Sequence, residues 1–311
     1  MSKIVPRFLK LQSSGCFNNG IKKEYTKIQV KPLAAAMGAE ILNVSLKKDQ
    51  LCEIGFEEIK DALFRHKMIF FRNQKLNHED HEAFTLKFGE FGTDFYTKGI
   101  SESHPNIQPV VREAETKSKI IFGEGWHTDS PFLSQPPSIS MLRSHQTPPY
   151  GGDTFFANTE LAYQSLSDPF KSMINNLRIH MSAIAVLSTM DFLSGNNKLG
   201  DLEMKNLQRE SMIQGHFHPL VRTHPVTKNR ALYIDETYTQ SIQGFTHAEA
   251  QAIITFLQAH VTQLSFTCRL RWEPYTFALW DNRSCIHHAF NDHDGFRREM
   301  YRTTVKGEVP F

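Results

Sequence analysis

Cysteine is scarce in this chain, with four residues among 311. They are widely scattered, and no two of them form a Cys-x-x-Cys pair. A zinc knuckle and a disulfide-stapled scaffold both need closely spaced cysteines, so the sequence argues against both. Unpaired thiols fit a reducing intracellular compartment, and we therefore expect a cytoplasmic protein.

Long apolar runs and an excess of charge of either sign are also missing. The 35 lysines and arginines nearly balance the 33 aspartates and glutamates, for a net charge of +2. A membrane-spanning helix needs about 20 consecutive apolar residues, and the run Met68-Ile-Phe-Phe is better read as a short buried strand. We therefore expect neither nucleic acid nor membrane as a partner. A small-molecule substrate is the expected partner, and association into a homo-oligomer is left open.

The composition that remains is typical of a globular protein. Hydrophobic residues make up 40% and charged residues 22% of the chain, which is enough for a sizeable core. The first 23 residues carry basic side chains and no acidic one. We interpret residues 1–24 as an N-terminal extension, a frayed basic tail rather than a transit peptide. Residues 25–311 are expected to form a single domain.

Apolar periodicity and capping signals predict the helices. Apolar residues recur at helical spacing over 54–66. Asn77 is a favourable N-cap and Thr246 opens a capping box, so a helix should follow each of them. Two more helices are expected at 159–166 and 168–178. The second should bury one face, formed by Phe170, Met173, Ile174 and Leu177.

Alternation of apolar and polar residues predicts strands between these helices. Residues 98–121 lack any period and are interpreted as a long loop, either a lid over the site or plain surface. Residues 190–212 are interpreted as an insertion. Many strands with a few helices favour a mainly β fold, a jelly-roll barrel with helices packed on one face. The expected strands are two within 25–45, then 67–72, 139–156 with a break at 148–152, 266–272, 276–280 and 298–305.

The stretch Trp126-His127-Thr128-Asp129 is the strongest chemical signal. In an extended segment His127 and Asp129 point to the same side, so an imidazole and a carboxylate can converge on one ion. Alone the pattern is weak, but far downstream His287 and His288 offer further imidazoles. Two neutral imidazoles and one carboxylate form the facial triad of non-haem Fe(II) oxygenases. Which of the two neighbouring histidines completes the triad is left open by spacing alone.

Arg298 and Arg302 lie four residues apart on the last predicted strand, and therefore on one face. Two guanidinium groups on one barrel wall are costly to bury without anions. Structural salt bridges would explain them if they stood alone. Beside a metal triad, binding of carboxylate or sulfonate groups becomes the better interpretation, because arginine binds such oxygens through two parallel hydrogen bonds.

Several spaced motifs, in order from about residue 27 to the C-terminus, resemble one family. It is the taurine dioxygenase and 2,4-dichlorophenoxyacetate dioxygenase (TauD/TfdA) family of Fe(II)- and 2-oxoglutarate-dependent oxygenases. The motifs are Gly38-Ala-Glu-Ile, Phe70-Phe-Arg-Asn-Gln, Phe88-Gly-Glu, Trp126-His-Thr-Asp, Gly151-Gly-Asp-Thr, His218-Pro-Leu-Val-Arg-Thr-His-Pro-Val, Trp280-Asp-Asn-Arg with His287, and Arg298 with Arg302.

This resemblance implies a double-stranded β-helix fold and a role for each matched residue. His127, Asp129 and His287 match the iron ligands, and the spacing from His287 to Arg302 is that of the family. The residues that match the 2-oxoglutarate-binding pair are Thr154 and Arg298, and Arg302 matches an arginine that binds the anionic end of the substrate. The cofactors implied are Fe(II), 2-oxoglutarate and O2, with succinate and CO2 as products.

Two positions depart from the taurine enzymes. Asp94 stands where they place a histidine that helps to bind sulfonate. A carboxylate there would repel a sulfonate, pair with Arg302, or meet an amine of the substrate. Gly123 stands where they have an asparagine before the metal motif. Tyr238 falls at the place of an aromatic substrate-wall residue, although ordinary core packing explains a lone tyrosine as well.

Three functions remain in competition. The leading hypothesis is an oxygenase that hydroxylates a small anionic substrate, namely a sulfonate, a sulfate ester or a carboxylate. A non-catalytic sensor that binds metal and 2-oxoglutarate is the second, and a zinc hydrolase with the same ligands is the third. The complete triad with Thr154 and Arg298 favours the first.

Overall fold

The computed structural model describes residues 23–116, 123–194, 198–199, 202–203 and 209–311. It is mainly β with interspersed helices. The helices are α1 Glu53–His66, α2 His78–Phe88, α3 Thr159–Ser165, α4 Asp168–Ile174, α5 Ile184–Ser194, α6 Arg209–Gln214 and α7 His247–Val261.

Strands occur along the whole described chain. They are β1 Gln29–Pro32, β2 Ala39–Leu42, β3 Met68–Phe71, β4 Gln108–Arg112, β5 Ile139–Gln146, β6 Thr154–Asn158, β7 Arg178–Met181, β8 Lys198–Leu199, β9 Leu202–Glu203, β10 His216–Pro219, β11 Val221–Thr223, β12 Arg230–Leu232, β13 Thr239–Ile242, β14 Thr267–Leu270, β15 Phe277–Asp281, β16 Cys285–Ala289 and β17 Arg298–Val305.

Two sheets matter for the site. The larger has seven strands in the order β1-β2-β3-β15-β5-β17-β4, and a smaller one has the order β14-β6-β16. Within the larger sheet only β2 and β3 run parallel. Because side chains alternate along each strand, Ile69 and Phe71 belong to one core with α1 and α2. Met68 and Trp280 belong to the opposite core, which also holds Phe156 of the smaller sheet.

The capping signals are confirmed. Asn77 and Thr246 each accept a hydrogen bond from the backbone of the third helical residue, and the acidic side chain at that position bonds back to the cap. Both helices therefore begin with the capping box that satisfies two otherwise unpaired backbone amides. The helix predicted over 54–66 is confirmed as α1, within one residue of the expected start.

Two predicted elements are wrong. The stretch 98–121 is not a loop throughout, because β4 pairs with β17 at the edge of the larger sheet. Pro109 is tolerated there because an edge strand leaves one side of its backbone unpaired. The helix expected over 168–178 ends at Ile174, and the chain enters β7 at Arg178. Met173, expected in the core, is 47% exposed.

Parts of other predictions fall on residues that are not described. These are residues 117–122 of the expected lid, the central part of the expected insertion at 190–212, and most of the expected N-terminal extension. The lid and the domain limits therefore stay predictions. No helix within the described ranges is long and apolar enough to cross a membrane.

Candidate metal and co-substrate site

A pocket lies between the larger and the smaller sheet. Its wall combines an apolar surface with a few polar groups that converge on one region, as ligand pockets do. The lining residues are Val110, Gly123, His127, Leu142, Thr154, Trp280, His287, Ala289, Arg298 and Arg302.

The backbone brings the two halves of the predicted triad together. His127 and His287 exchange two backbone hydrogen bonds, of 2.9 and 2.8 Å, in an isolated antiparallel bridge. Thr128 between the two expected ligands is buried, and its side chain donates to the carbonyl of Asn282 at 3.1 Å. Because Thr128 points into the protein on one side, His127 and Asp129 point together on the other.

The triad atoms are close enough to share one ion. One ligand atom from each of His127, Asp129 and His287 lies within 4.8 Å of the other two, and all three residues are buried. His127 Nδ1 lies 2.9 Å from the carbonyl of Gly125. A proton on Nδ1 would make this a hydrogen bond and leave Nε2 with a lone pair for a metal. Two imidazoles and a carboxylate are a donor set suited to Fe(II).

Charge states at this centre suit metal binding. Burial lowers the pKa of both His127 and His287, so both imidazoles are neutral at neutral pH. Burial opposes ionisation of Asp129, but nearby positive charge, from His287 when it is protonated and from Arg302, outweighs it together with the Ser140 hydrogen bond and holds the pKa of this carboxyl below its usual value. Ligands must be deprotonated before they bind a metal, and these three side chains already are.

His288 is directed elsewhere. Its ring packs against Trp126, with centroids 5.7 Å apart, and against Phe290 at 4.7 Å. The metal-binding group found among the described residues contains His287 and not His288. Alternation along β16 explains this, since neighbouring residues point to opposite faces.

The carboxylate of Asp129 is held by side chains that sequence reasoning missed. Ser140 on β5 donates a hydrogen bond to Asp129 Oδ2. Asn282 Nδ2 donates to Ser140 Oγ at 2.8 Å, and Asn282 Oδ1 accepts from Trp280 Nε1 at 3.0 Å. Such partners orient metal ligands and raise their affinity. The Trp280-Asp-Asn motif was visible in the sequence, but nothing there pointed to Ser140.

We expect Ser140→Ala to lower metal affinity roughly 10- to 100-fold, because the Asp129 carboxylate loses the hydrogen bond that orients it. Titration of the purified variant with Mn(II) measures this. Ser144→Ala is the matched control, since Ser144 is also buried on β5 but bonds only backbone groups around Glu273 and Thr276. Equal affinity in both variants would contradict the role given to Ser140.

Thr154 and Arg298 face the pocket from the starts of β6 and β17. Thr154 Oγ1 accepts a hydrogen bond from Trp272 Nε1 at 2.9 Å, which leaves its own proton to donate. Arg298 reaches the carbonyl of Gly152 at 3.5 Å, and its buried Nε has no hydrogen-bond partner among the described residues. Burial lowers the pKa of this guanidinium to about 10, an effect that Asp153 partly offsets. A buried cation with donors to spare is suited to an anionic ligand.

His293 is a further neighbour of Arg298 that sequence reasoning missed. It is 2% exposed, and neither ring nitrogen has a hydrogen-bond partner within the described part of the chain. Gly152, at φ +66°, separates the two side chains. A Cβ added there would stand 3.3 Å from Arg298 Nε and 3.4 Å from His293 Nδ1. No pattern around His293 set it apart from an ordinary loop histidine.

Arg302 is paired with carboxylates at both ends of its guanidinium. Its Nη2 donates to Asp94 Oδ2, and its Nη1 lies 3.5 Å from Asp129 Oδ1. Of the three options for Asp94, the structure contains the pair with Arg302. Tyr238 is buried, with its ring 6.5 Å from that of His127 and its hydroxyl 3.2 Å from the hydroxyl of Tyr96.

Comparison with known proteins gives consistent matches. Residues 29–304 match the taurine catabolism dioxygenase TauD, TfdA family. The chain is 35% identical to an alpha-ketoglutarate-dependent sulfate ester dioxygenase of Pseudomonas putida, over 91% of each chain.

Two solved structures are also similar. A taurine dioxygenase from Burkholderia xenovorans shares 36% identity and a TM-score of 0.73, covering 92% of this chain and 93% of that one. AAD-2 in complex with Mn(II) and N-oxalylglycine shares 25% identity and a TM-score of 0.74, covering 92% of this chain and 99% of that one. With its described site and these matches, the chain belongs to the TauD/TfdA family of Fe(II)- and 2-oxoglutarate-dependent dioxygenases.

Proposed function

We propose that this protein hydroxylates a small organic substrate that carries an anionic group, a sulfonate, a sulfate ester or a carboxylate. The observation that carries this proposal is the convergence of His127, Asp129 and His287 beside a pocket that His127, His287 and Arg298 line. The relatives described above act on sulfate esters and taurine, which supports a substrate of this class.

His127, Asp129 and His287 would hold Fe(II), a metal suited to two imidazoles and one carboxylate. When bound, iron and 2-oxoglutarate would allow O2 to oxidise a substrate C–H bond to an alcohol: one oxygen atom of O2 goes to the new hydroxyl and the other to succinate, as 2-oxoglutarate loses CO2. The chain's own contribution is to position these groups and to keep water away. Leu142, Trp280 and Ala289 give the pocket the apolar walls that this requires.

Thr154 and Arg298 would bind the carboxylate of 2-oxoglutarate that lies away from the metal. The guanidinium can present two parallel N–H groups to a carboxylate, and the Thr154 hydroxyl can add a third donor. The distal carboxylate would thereby balance a charge that is otherwise buried beside few acceptors. Arg302 would face the anionic end of the substrate, and Tyr238 would form part of the wall nearby.

The finer structural expectations are part of the same proposal. A larger and a smaller sheet with a pocket between them support the double-stranded β-helix, a cupin-like jelly roll. The described cysteines, Cys52, Cys268 and Cys285, are free thiols, which supports the cytoplasmic location. The proposed partners are small molecules only.

Measurement of succinate formed per 2-oxoglutarate consumed tests this function. We expect turnover that depends on Fe(II) and O2 and that rises when a sulfonate, sulfate ester or carboxylate substrate is added. A sensor would bind 2-oxoglutarate without producing succinate, and the comparisons give that alternative no support. A zinc hydrolase would convert its substrate without O2 and without forming succinate. That result would overturn the proposal.

A further inference from the structure

Arg302, which lines the pocket, belongs to a buried ion pair with Asp94. Arg302 is 7% exposed and Asp94 is 7% exposed, and they are joined through Arg302 Nη2 and Asp94 Oδ2. The other terminal nitrogen of Arg302 faces Asp129, a proposed iron ligand. Each end of the guanidinium is therefore next to a carboxylate before any substrate arrives.

Asp94 is fixed in this position by its own backbone. Its Oδ1 accepts hydrogen bonds from the amides of Tyr96 at 2.8 Å and Thr97 at 2.7 Å. If the carboxylate swung away from Arg302, both buried amides would lose their acceptor, which is unfavourable. The pair with Arg302 is therefore built into the turn and is not a chance contact of a mobile side chain.

Adding the charges of the loaded site shows what Asp94 does. Fe(II) would contribute two positive charges and Arg298 and Arg302 one each. 2-Oxoglutarate would contribute two negative charges and Asp129 and Asp94 one each, while the buried histidines are neutral. The loaded site is then neutral. Without Asp94 it would keep one positive charge, which would attract a simple monoanion.

The hydrogen-bonding capacity of Asp94 also disfavours a bare anion next to Arg302. A sulfonate or a sulfate ester presents only acceptor oxygens, and the Asp94 carboxylate also only accepts. A bare sulfonate near Arg302 would therefore face a like charge in a region that is poorly screened because it is buried. A group that donates to Asp94 while it accepts from Arg302 would satisfy both members of the pair.

We propose that Asp94 is a specificity-determining residue: together with Arg302 it selects small organic acids whose anionic group has a hydrogen-bond donor, a hydroxyl or an ammonium, beside it, over bare sulfonates and sulfates. This inference rests on the proposed function and narrows its substrate class. It assigns to Asp94 a role at the substrate and none in the oxidation itself.

The test compares two ligands with six carbon atoms each, hexanesulfonate and 2-hydroxyhexanoate. Their binding to the enzyme loaded with Mn(II) and N-oxalylglycine is measured by calorimetry, so that no turnover is needed. The wild-type protein should bind 2-hydroxyhexanoate at least about tenfold more tightly than hexanesulfonate. Asp94→Asn should shift this ratio at least about tenfold towards the sulfonate, because asparagine keeps an acceptor for the Tyr96 and Thr97 amides but has no charge.

Asp168→Asn is the matched control, because the Asp168 side chain is 92% exposed and the same charge is removed far from the pocket. Equal affinity of the wild-type protein for the two ligands overturns the inference, and so does an unchanged ratio in a folded Asp94→Asn variant. The wild-type comparison decides even if the variant does not fold. Failure of the wild-type protein to bind N-oxalylglycine would instead reject the proposed function, so the two failures are distinguishable.

Discussion

We expect that replacing Asp129 by alanine will abolish succinate formation and leave the protein folded. Asp129 is the only carboxylate of the metal-binding group found among the described residues, and two neutral imidazoles alone hold Fe(II) poorly. Its removal also frees Ser140 and one side of Arg302 rather than opening a hydrophobic cavity. Succinate formation at saturating 2-oxoglutarate, with Mn(II) titration and far-ultraviolet circular dichroism on the same sample, measures both outcomes.

The control for this variant is Asp168→Ala, which removes an exposed carboxylate and should leave activity and metal affinity as in the wild-type protein. Activity that persists in Asp129→Ala would show that another residue binds the metal. Loss of helical and strand signals in the same variant would show that Asp129 is needed for folding, contrary to our expectation.

We expect that replacing Arg298 by alanine will raise the 2-oxoglutarate concentration needed for half-maximal activity by about 100-fold or more. A charge-assisted hydrogen bond contributes about 1.5–3 kcal/mol, and removing the guanidinium leaves a buried carboxylate without its positively charged partner. The maximal rate should change much less, because Arg298 is not a metal ligand. Steady-state kinetics at varied 2-oxoglutarate separates the two effects.

Two neighbouring variants sharpen this experiment. Arg297→Ala removes the adjacent arginine, which is bound to Glu113 and Glu299 instead of lining the pocket, and should leave the requirement unchanged. Arg298→Lys keeps the charge but loses the paired N–H groups, so its requirement should lie between those of the wild-type protein and Arg298→Ala. If Arg297→Ala and Arg298→Ala need the same 2-oxoglutarate concentration for half-maximal activity, the role assigned to Arg298 is wrong.

The starts of two helices and the common direction of His127 and Asp129 could be predicted because their signals are local. The capping residues Asn77 and Thr246 predict the helices that follow them. Alternation along an extended segment predicts that the side chains of His127 and Asp129 point to the same side. The third metal ligand lies far along the chain from His127 and Asp129, so no local signal identifies it. Only the resemblance to a family distinguished His287 from His288. In the structure, the backbone bridge between His127 and His287 makes that choice.

What could not be predicted depends on contacts between distant segments. β4 forms because the edge of β17 offers it backbone hydrogen bonds. The sequence of 98–121 does not predict this pairing. Ser140 can donate a hydrogen bond to Asp129 only because the fold places β5 next to the segment that carries Asp129. The pairing of Asp94 with Arg302 could not be predicted from the sequence either. The negative charge of Asp94 was equally consistent with repulsion of a sulfonate and with binding of an amine.

The most direct measurement is a crystal structure grown with Mn(II) and N-oxalylglycine, with anomalous scattering recorded for manganese. We predict one manganese peak, bound by His127 Nε2, the carboxylate of Asp129 and His287 Nε2, with Arg298 against the distal carboxylate of N-oxalylglycine. A manganese ion bound by other residues, or these three side chains turned away from it, would contradict the assignment of this pocket as the centre of an Fe(II)- and 2-oxoglutarate-dependent dioxygenase.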